Sequence, residues 1–272
     1  MKPACFDYVL PDTPAEAQAL LAQYGSDARI LAGGQSLLAM LNMRLAQPKV
    51  LVDISRMKAL DYIRIDGDRL AIGAAATQSA LEAYPSLGEH VPLAALALPS
   101  ISHFQVKNKG TVCGSIAHAD PSAELPLVLA ALGGEVVLAS ASARRRLLPD
   151  DYFRGMLQTA CAADEMIVEI RLPLRAANAG YAFREVASRQ GDFALVALAA
   201  VASADALLLA VGGVADRPVV RRWPRLDGVA LADALNDFAW ALGAEDDAHA
   251  TAQYRRHLVR VLGGQVLRQA QQ

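Results

Sequence analysis

The chain has 272 residues, of which 54% are hydrophobic, enough to bury the core of one large or two modest domains. Its formal net charge of −2 provides no basic field for a nucleic-acid partner. No apolar run reaches the roughly 18 residues that a membrane span needs. Residues 1–5 do not read as a signal peptide, so we expect a cytoplasmic protein.

The three cysteines, Cys5, Cys113 and Cys161, are scattered and form no Cys-x-x-Cys motif. The five histidines show no spacing that is typical of metal ligands. The sequence therefore predicts neither a zinc site nor an iron–sulfur cluster on this chain, and the unpaired cysteines fit a reducing compartment.

Strands and helices alternate over residues 1–55. A capping box from Thr13 to Glu16, with Pro14 at the first helical position, predicts a helix over 14–24 after a strand over 5–10. A strand over 29–32, a Gly33-Gly34 turn, a helix over 35–45 and a strand over 49–54 follow. This order predicts a small α/β lobe with some parallel pairing.

Residues 56–175 predict a second lobe. Its elements are a hairpin of strands 62–65 and 70–72, helices over 77–84 and 91–98, a hairpin within 135–148, and a strand over 166–172. Three arginines, Arg144, Arg145 and Arg146, lie on the exposed strand of the second hairpin. They are either a docking patch or charges that protect an edge strand, and we favour the second interpretation.

Residues 176–272 predict a separate C-terminal domain, which gives an α+β chain overall. Strands over 181–186, 195–202 and 207–211 would form a small antiparallel sheet of three strands. Helices are predicted over 231–242 and 249–267. In the last helix an apolar stripe at helical spacing predicts core packing, and its members are Tyr254, Leu258, Val261, Leu262 and Val266.

Residues 108–126 combine a turn, a run of small residues and a predicted helix start. The small residues from Thr111 to Ser115 allow a backbone or a ligand to come close. Asp120 and Pro121 are typical of a helix N-cap and first position, before a helix over 125–132. Such a segment either binds an anion or is a tight loop in a small-residue core.

Residues 29–37 repeat this pattern, with a strand, the Gly33-Gly34 turn and a helix start. They form neither a dinucleotide-binding Gly-x-Gly-x-x-Gly motif nor a P-loop, because no Gly-Lys-Ser/Thr follows. Two such loops, far apart in sequence, indicate a ligand with two anionic groups, or a pyrophosphate, held between two lobes.

Several segments resemble the FAD-binding (medium) subunits of molybdenum hydroxylases, the family of carbon monoxide dehydrogenase and xanthine dehydrogenase. The segments are 31–37, 44–46, 51–54, 111–126, 181–184, 188–193 and 254–258. The resemblance implies a two-lobed, vanillyl-alcohol-oxidase-like FAD-binding domain of PCMH type over 1–175, with lobes 1–55 and 56–175. It also implies a C-terminal domain of the carbon monoxide dehydrogenase flavoprotein type over 176–272.

The resemblance also implies which residues surround FAD. Backbone N–H groups of 33–37 and 111–115 would neutralise the pyrophosphate, helped by nearby hydroxyls. Asp120 and Glu124 match family positions near the sugar, and Ile167 matches a residue that packs on the isoalloxazine. Arg184 matches the position of a cation near the flavin, and Phe193 matches that of an aromatic residue that covers the flavin. The full set is Leu31, Ala32, Gly33, Gly34, Gln35, Ser36, Leu37, Ile101, Thr111, Cys113, Gly114, Ser115, Ala117, Asp120, Glu124, Ile167, Arg184 and Phe193.

Each of these side-chain roles has a plain structural alternative. Asp120 is equally suited to capping a helix, and Ile167 to a buried strand. Arg184 would also fit on a surface strand, and Phe193 would also fit in a small aromatic cluster.

Three positions depart from the family pattern. Cys113 replaces a common Gly, and a positive φ there would cost about 1–2 kcal/mol. Ser115 replaces a common Asn. Gln35 stands where carbon monoxide dehydrogenases commonly have His, which favours a relative that acts on aromatic or N-heterocyclic compounds.

By this resemblance the chain is an electron-transfer subunit that binds FAD non-covalently and has no catalytic residue beyond the flavin. The molybdenum cofactor would lie on a large subunit and the iron–sulfur clusters on a small 2Fe–2S subunit, in a dimer of heterotrimers. Electrons would leave for an external acceptor such as NAD, a quinone or oxygen.

Two other classes of protein stay open at this point. A self-contained flavin oxidoreductase of related fold would need its own substrate domain, and the residues after Gly180 are few for one. A non-catalytic nucleotide-binding module would have no use for Arg184 and Phe193 beside a flavin.

Overall fold

The computed structural model describes residues 2–272. Met1, the first residue of the segment judged not to be a signal peptide, lies outside them. The described chain contains sheets of three, five and four strands and a two-stranded ribbon. Among the helices of this part of the chain, none combines the length and apolar composition that crossing a bilayer requires.

The first sheet is parallel and belongs to the predicted α/β lobe. Its elements are β1 (Asp7–Val9), α1 (Pro14–Tyr24), β2 (Ala28–Leu31), α2 (Leu37–Asn42) and β3 (Val50–Asp53). The strand order is β1-β3-β2, and every residue of the central strand is buried. The predicted cap of α1 is confirmed, because the Thr13 hydroxyl accepts a hydrogen bond from the N–H of Glu16. Helix α2 ends earlier than predicted, and Arg44 takes a positive φ of 58° just beyond it.

The second sheet has five strands and carries most of the helices on one side. Its first elements are β4 (Ile63–Asp66), β5 (Arg69–Gly73), α3 (Gln78–Glu82), α4 (Leu87–His90), α5 (Pro92–Ala97), α6 (Phe104–Lys107), α7 (Val112–His118) and α8 (Glu124–Leu132). They continue with β6 (Glu135–Ala139), β7 (Arg144–Leu147), α9 (Pro149–Tyr152), β8 (Phe153–Gly155), β9 (Gln158–Thr159) and β10 (Met166–Pro173). The order β4-β5-β10-β6-β7 makes β10 the centre, and both predicted hairpins are confirmed.

The three consecutive arginines lie on β7, the outer strand of this sheet. Arg145 donates two 2.7 Å hydrogen bonds to the carboxylate of Glu165. Arg146 lies 3.6 Å from Glu135. The arginines are thus paired with acidic neighbours on an edge strand, as the favoured interpretation requires.

Two predictions around the second glycine loop are wrong. The segment after Thr111 is not an open loop but the start of α7, which Thr111 caps. Asp120 does not cap α8, because the helix begins at Glu124 after Ala123. The Asp120 carboxylate instead accepts a 2.8 Å hydrogen bond from the N–H of Ser122, a local turn that competes with capping.

The C-terminal sheet has four antiparallel strands, not the predicted three. Its elements are β11 (Gly180–Ala187), β12 (Ala194–Ala202), β13 (Ala206–Gly212), β14 (Val219–Pro224), α10 (Gly228–Ala241) and α11 (Ala252–Ala270). The added strand β14 is an edge strand that pairs only with β13, and its exposed arginines hide its strand pattern in the sequence.

This sheet joins the two hydrophobic cores of the chain. Ala197 and Ala199 of β12 belong to the large core below the first two sheets. Leu198 and Ala200 face the other way and pack against α10 and α11. The predicted stripe on α11 is only partly correct, since Tyr254 and Val261 are 44% and 45% exposed while its other members are buried.

Candidate functional site

A single large cleft of about 1680 Å³ runs between the three sheets. The first loop (residues 32–37) and the second loop (residues 110–115) both line it, as do the start of β10 and the connection from β11 to β12. Its far end is formed by the segments after β13 and after α10. Elements that are distant in sequence therefore share one elongated cavity, as expected of a ligand site between lobes.

The first loop presents a run of free backbone donors. Within residues 2–272, the N–H groups from Gly33 to Leu37 donate to no protein acceptor. Gly34 has a φ of +70°, which turns the chain from β2 toward α2. Ser36 precedes α2 without capping it through its side chain, so its hydroxyl is not used by the helix. Successive free N–H groups in a turn form a concave site for an anion.

The second loop offers fewer donors than the sequence suggested. The N–H of Val112 donates to the carbonyl of Ala76, and that of Ser115 to the carbonyl of Thr111. The N–H of Gly114 donates to the Thr111 hydroxyl at 2.9 Å. The N–H groups of Gly114 and Ser115 are thus used by the start of α7 and that of Val112 by the Ala76 carbonyl. The first loop is therefore the main source of anion-binding N–H groups.

Cys113 causes none of the strain considered for this position. It is a helical residue of α7, and the positive-φ residues of the described chain do not include it. Its thiol lies 3.6 Å from the Ile72 carbonyl oxygen, and burial raises its pKa well above the ordinary value for a thiol. The side chain is therefore a protonated core residue.

The two loops touch at glycine positions. A Cβ added to Gly33 would overlap the Lys109 carbonyl oxygen and lie 2.7 Å from the Gly110 Cα. A Cβ added to Gly114 would lie 2.7 Å from the Thr111 hydroxyl oxygen, the cap of α7. Gly33 therefore permits loop-to-loop contact, and bulk at Gly114 would disturb the helix start as well as any ligand surface.

All the residues that the resemblance assigned to the cofactor line this cleft, except Leu31 and Arg184. Leu31 is the last residue of β2. Arg184 is exposed, and its guanidinium donates to the side-chain oxygen of Gln265 on α11 at 3.1 Å. The structure therefore does not bring Arg184 to the cleft with the other residues of the set.

The alternation of side chains between the two faces of β11 explains where Arg184 points. On β11, Ala182 belongs to the core against α10 and α11, and Arg184 shares its face. Tyr181 and Phe183 pack on the opposite, large core, so the following residue on that side is Glu185. On the side of β11 that packs on the large core, the residue after Phe183 is therefore acidic, not basic.

Two carboxyl groups, Glu124 at the cleft and Glu185 on β11, lie close enough for the charge of one to act on the other. Glu124, the first residue of α8, is 8% exposed, and burial raises its pKa to about 7. Burial also raises the pKa of Glu185 to about 8, with a further contribution from the charge of Glu124. Glu124 was predicted as a cofactor residue, whereas Glu185 was missed because only the strand register reveals its direction.

Other cleft residues were missed as well. Gln78, Tyr152 and Cys161 all line the cleft. A usable signal existed for Gln78, since a lone amide follows the helix cap Thr77 after a long apolar run. No comparable sequence signal marks the other two.

The raised pKa of Glu124 predicts a pH-dependent change in stability. A carboxyl whose pKa rises on folding favours the native state below about pH 4.5, and this contribution is lost as the pH rises to about 7. Glu124→Gln should therefore match the wild type near pH 4.5 and exceed it by up to about 3 kcal/mol at pH 8. Urea unfolding of the FAD-free protein at both pH values measures this, and an equal difference at the two pH values would contradict it.

The chain matches known proteins over nearly its whole length. A family model described as the FAD binding domain in molybdopterin dehydrogenase matches residues 4–175. The chain is 38% identical over 206 residues to caffeine dehydrogenase subunit beta of Pseudomonas sp. strain CBB1, covering 75% of this chain and 70% of that protein. It is 37% identical over 276 residues to the nicotine 6-hydroxylase medium subunit of Paenarthrobacter nicotinovorans, covering 96% of each.

A solved structure gives the same result for the fold. Reconstituted CO dehydrogenase from Oligotropha carboxidovorans superposes with a TM-score of 0.94 at 30% identity, covering 100% of this chain and 99% of that one. The family match covers more than half of the chain, and the superposition includes the C-terminal sheet and its helices. The chain therefore belongs to the family of FAD-binding subunits of molybdopterin dehydrogenases.

Proposed function

We propose that this chain is the FAD-carrying electron-transfer subunit of a heteromeric molybdenum hydroxylase. The observation that carries the proposal is the run of free N–H groups from Gly33 to Leu37 at the head of a cleft that spans three sheets. FAD has a pyrophosphate for such a run and a long body for such a cleft. The family match over residues 4–175 supports the same cofactor.

The residues that would hold the pyrophosphate carry no formal positive charge. The first loop would hold the pyrophosphate, and the hydroxyls of Ser36, Thr111 and Ser115 would add hydrogen bonds. Ile167 is 6% exposed beside a bulge in β10, which suits a rigid surface for the ring system. Phe193 is 68% exposed in the connection from β11 to β12 and would cover the ring.

FAD, when bound, supplies the ability to accept electrons one at a time and to release them to a different acceptor. The protein's own part is to hold the cofactor, exclude water from it and present it to a partner. We propose that residues 1–175 do this, that 176–272 form the second domain, and that Asp120 and Glu124 contact the sugar region.

The partners in this proposal are a small 2Fe–2S subunit and a large molybdenum-cofactor subunit, in a cytoplasmic dimer of heterotrimers. Two relatives support a heteromeric complex, since they are named as a subunit beta and a medium subunit. Their names also refer to caffeine and nicotine, and Gln35 departs from the carbon monoxide dehydrogenase pattern. We therefore propose an N-heterocyclic substrate for the complex.

Co-expression with the small and large subunits tests the proposal. The complex should show flavin absorbance that bleaches on addition of an N-heterocycle such as caffeine or nicotine. The isolated chain should not bleach with either compound but should still be reduced by dithionite. Bleaching of the isolated chain by a substrate would favour the self-contained flavin oxidoreductase.

Acid precipitation of the same preparation identifies the cofactor. Yellow FAD should appear in the supernatant, as non-covalent binding requires. Release of FMN alone, or colour that stays with the precipitate, would contradict non-covalent FAD.

A further inference from the structure

Gln78 is fixed at the point where the two loops meet. It is the first residue of α3, and its backbone N–H donates to the Gly110 carbonyl at 2.8 Å. The preceding Thr77 forms a β-bridge with Thr111. The start of α3 is therefore attached to the second loop through the backbone, and the direction of the Gln78 side chain is set by that attachment.

The Gln78 side chain is buried at the cleft without a protein partner for its oxygen. The residue is 6% exposed and lines the cleft together with Gln35 and Gly110. Its carboxamide carbon and the Gln35 Cγ each lie 3.5 Å from where a Cβ on Gly110 would be. Its Oε1 has no hydrogen-bond partner among residues 2–272.

An unpaired buried amide oxygen is unfavourable, so its retention calls for a partner from outside the chain. The junction lies between the free N–H groups of the first loop and the hydroxyl of Thr111. A ligand that fills this junction must carry polar atoms there. A neutral amide suits such a ligand when it is anionic, because a carboxylate at the same place would repel it.

We propose that the Gln78 carboxamide is a hydrogen-bonding contact for the pyrophosphate–ribityl segment of FAD. This proposal rests on the FAD-binding function proposed above. The Oε1 atom accepts from a ribityl hydroxyl, or, after rotation about the last side-chain bond, the amide N–H donates to a phosphate oxygen. Gln78 is thus a positioning residue that is shared between the two loops and the cofactor.

Gln78→Leu in the full chain tests the contact by two measurements that should move in different directions. Its FAD dissociation constant should rise about three- to tenfold, the usual effect of losing one hydrogen bond. The unfolding midpoint of the FAD-free protein should stay or rise, because the variant removes an unpaired buried oxygen. Gln23→Leu, an exposed glutamine of α1, is the matched control and should change neither value.

The ligand fragments ADP and FMN assign the contacting atom. If the amide donates to the pyrophosphate, Gln78→Leu weakens ADP as well as FAD, whereas a ribityl contact weakens FMN and spares ADP. Gln78→Glu, which keeps the shape, is measured in parallel in case the Leu variant does not fold. It should bind FAD more weakly than the wild type if the amide donates to phosphate, and about equally if Oε1 accepts from a hydroxyl.

Three results would count against these ideas, and they are distinguishable. Unchanged affinity of Gln78→Leu for FAD, ADP and FMN would overturn the contact. A parallel fall in FAD-free stability and FAD affinity would show that Gln78 only supports the second loop. Failure of the wild-type chain to bind FAD would instead reject the proposed function itself.

Discussion

Gly33→Ala should weaken FAD binding and also destabilise the FAD-free protein. Its new Cβ would overlap the Lys109 carbonyl oxygen and lie 2.7 Å from the Gly110 Cα, and both atoms belong to the backbone at or just before the second loop. Backbone cannot move aside as the end of a flexible side chain can, so the two loops must separate. Overpacking of this kind typically costs about 1–3 kcal/mol. A loss of the same size in binding corresponds to a roughly five- to 150-fold weaker FAD dissociation constant.

A second glycine provides the control for this substitution. Gly88 lies in α4, and a Cβ added there meets nothing within 4 Å. Neither position has a left-handed backbone, so the conformational effect of alanine is similar and only the contact differs. Gly88→Ala should leave stability and FAD affinity unchanged or slightly improved. Calorimetric titration with FAD and urea unfolding measure both quantities, and wild-type affinity in Gly33→Ala would refute the loop contact.

The sequence was sufficient to predict that two distant glycine segments face one site, since both line the same cleft. The capping box at Thr13, the hairpins and the central strand were also predicted, because each depends on local patterns of turn residues and hydrophobic period. It did not reveal that Gly33 is needed for contact with the backbone at Lys109. Such contacts depend on how the two lobes pack, and no local sequence pattern predicts that packing.

Most wrong predictions have the same origin. A local sequence signal indicated one structure, and tertiary hydrogen bonds or the strand register produced another. Asp120 has the chemistry of a helix cap, but its carboxylate is used by a turn. The small residues after Thr111 suggested an open loop, but a bridge to Thr77 lets that threonine start a helix. Arg184 and Glu185 are adjacent, and only strand pairing decides which of them lies on the α11 side and which on the large-core side.

Arg255→Met should produce the largest loss of stability among single changes in the C-terminal helix. Hydrophobic periodicity does not predict that Arg255 is buried, because the residue is charged. Its exposed fraction is nevertheless only 6%. Its guanidinium donates to the Leu195 carbonyl at 2.7 Å, to the Gly213 carbonyl, and to the Asp247 carboxylate. It therefore joins α11 to the start of β12, to the end of β13 and to the loop before α11.

The substitution would leave two backbone carbonyl oxygens without their donor, and each such loss costs about 1–3 kcal/mol. The bond to Asp247 adds less, because that carboxylate is half exposed to water. We expect a total loss of about 2–4 kcal/mol, or a midpoint lower by roughly 5–15 °C. Leu195 and Gly213 also line the cleft, so the variant should weaken FAD binding by loosening that wall.

Two further variants separate the effect of the contacts from that of charge. Arg260→Met removes an exposed arginine of the same helix that makes a single 3.3 Å bond to Asn236, and it should stay within about 0.5 kcal/mol of the wild type. Arg255→Lys keeps the charge but lacks the planar fork that reaches three acceptors, so its stability should fall between the two. Thermal unfolding of the three variants measures whether the hydrogen bonds of Arg255 stabilise the fold. An Arg255→Met midpoint close to that of Arg260→Met would mean that the Leu195 and Gly213 carbonyls find other donors.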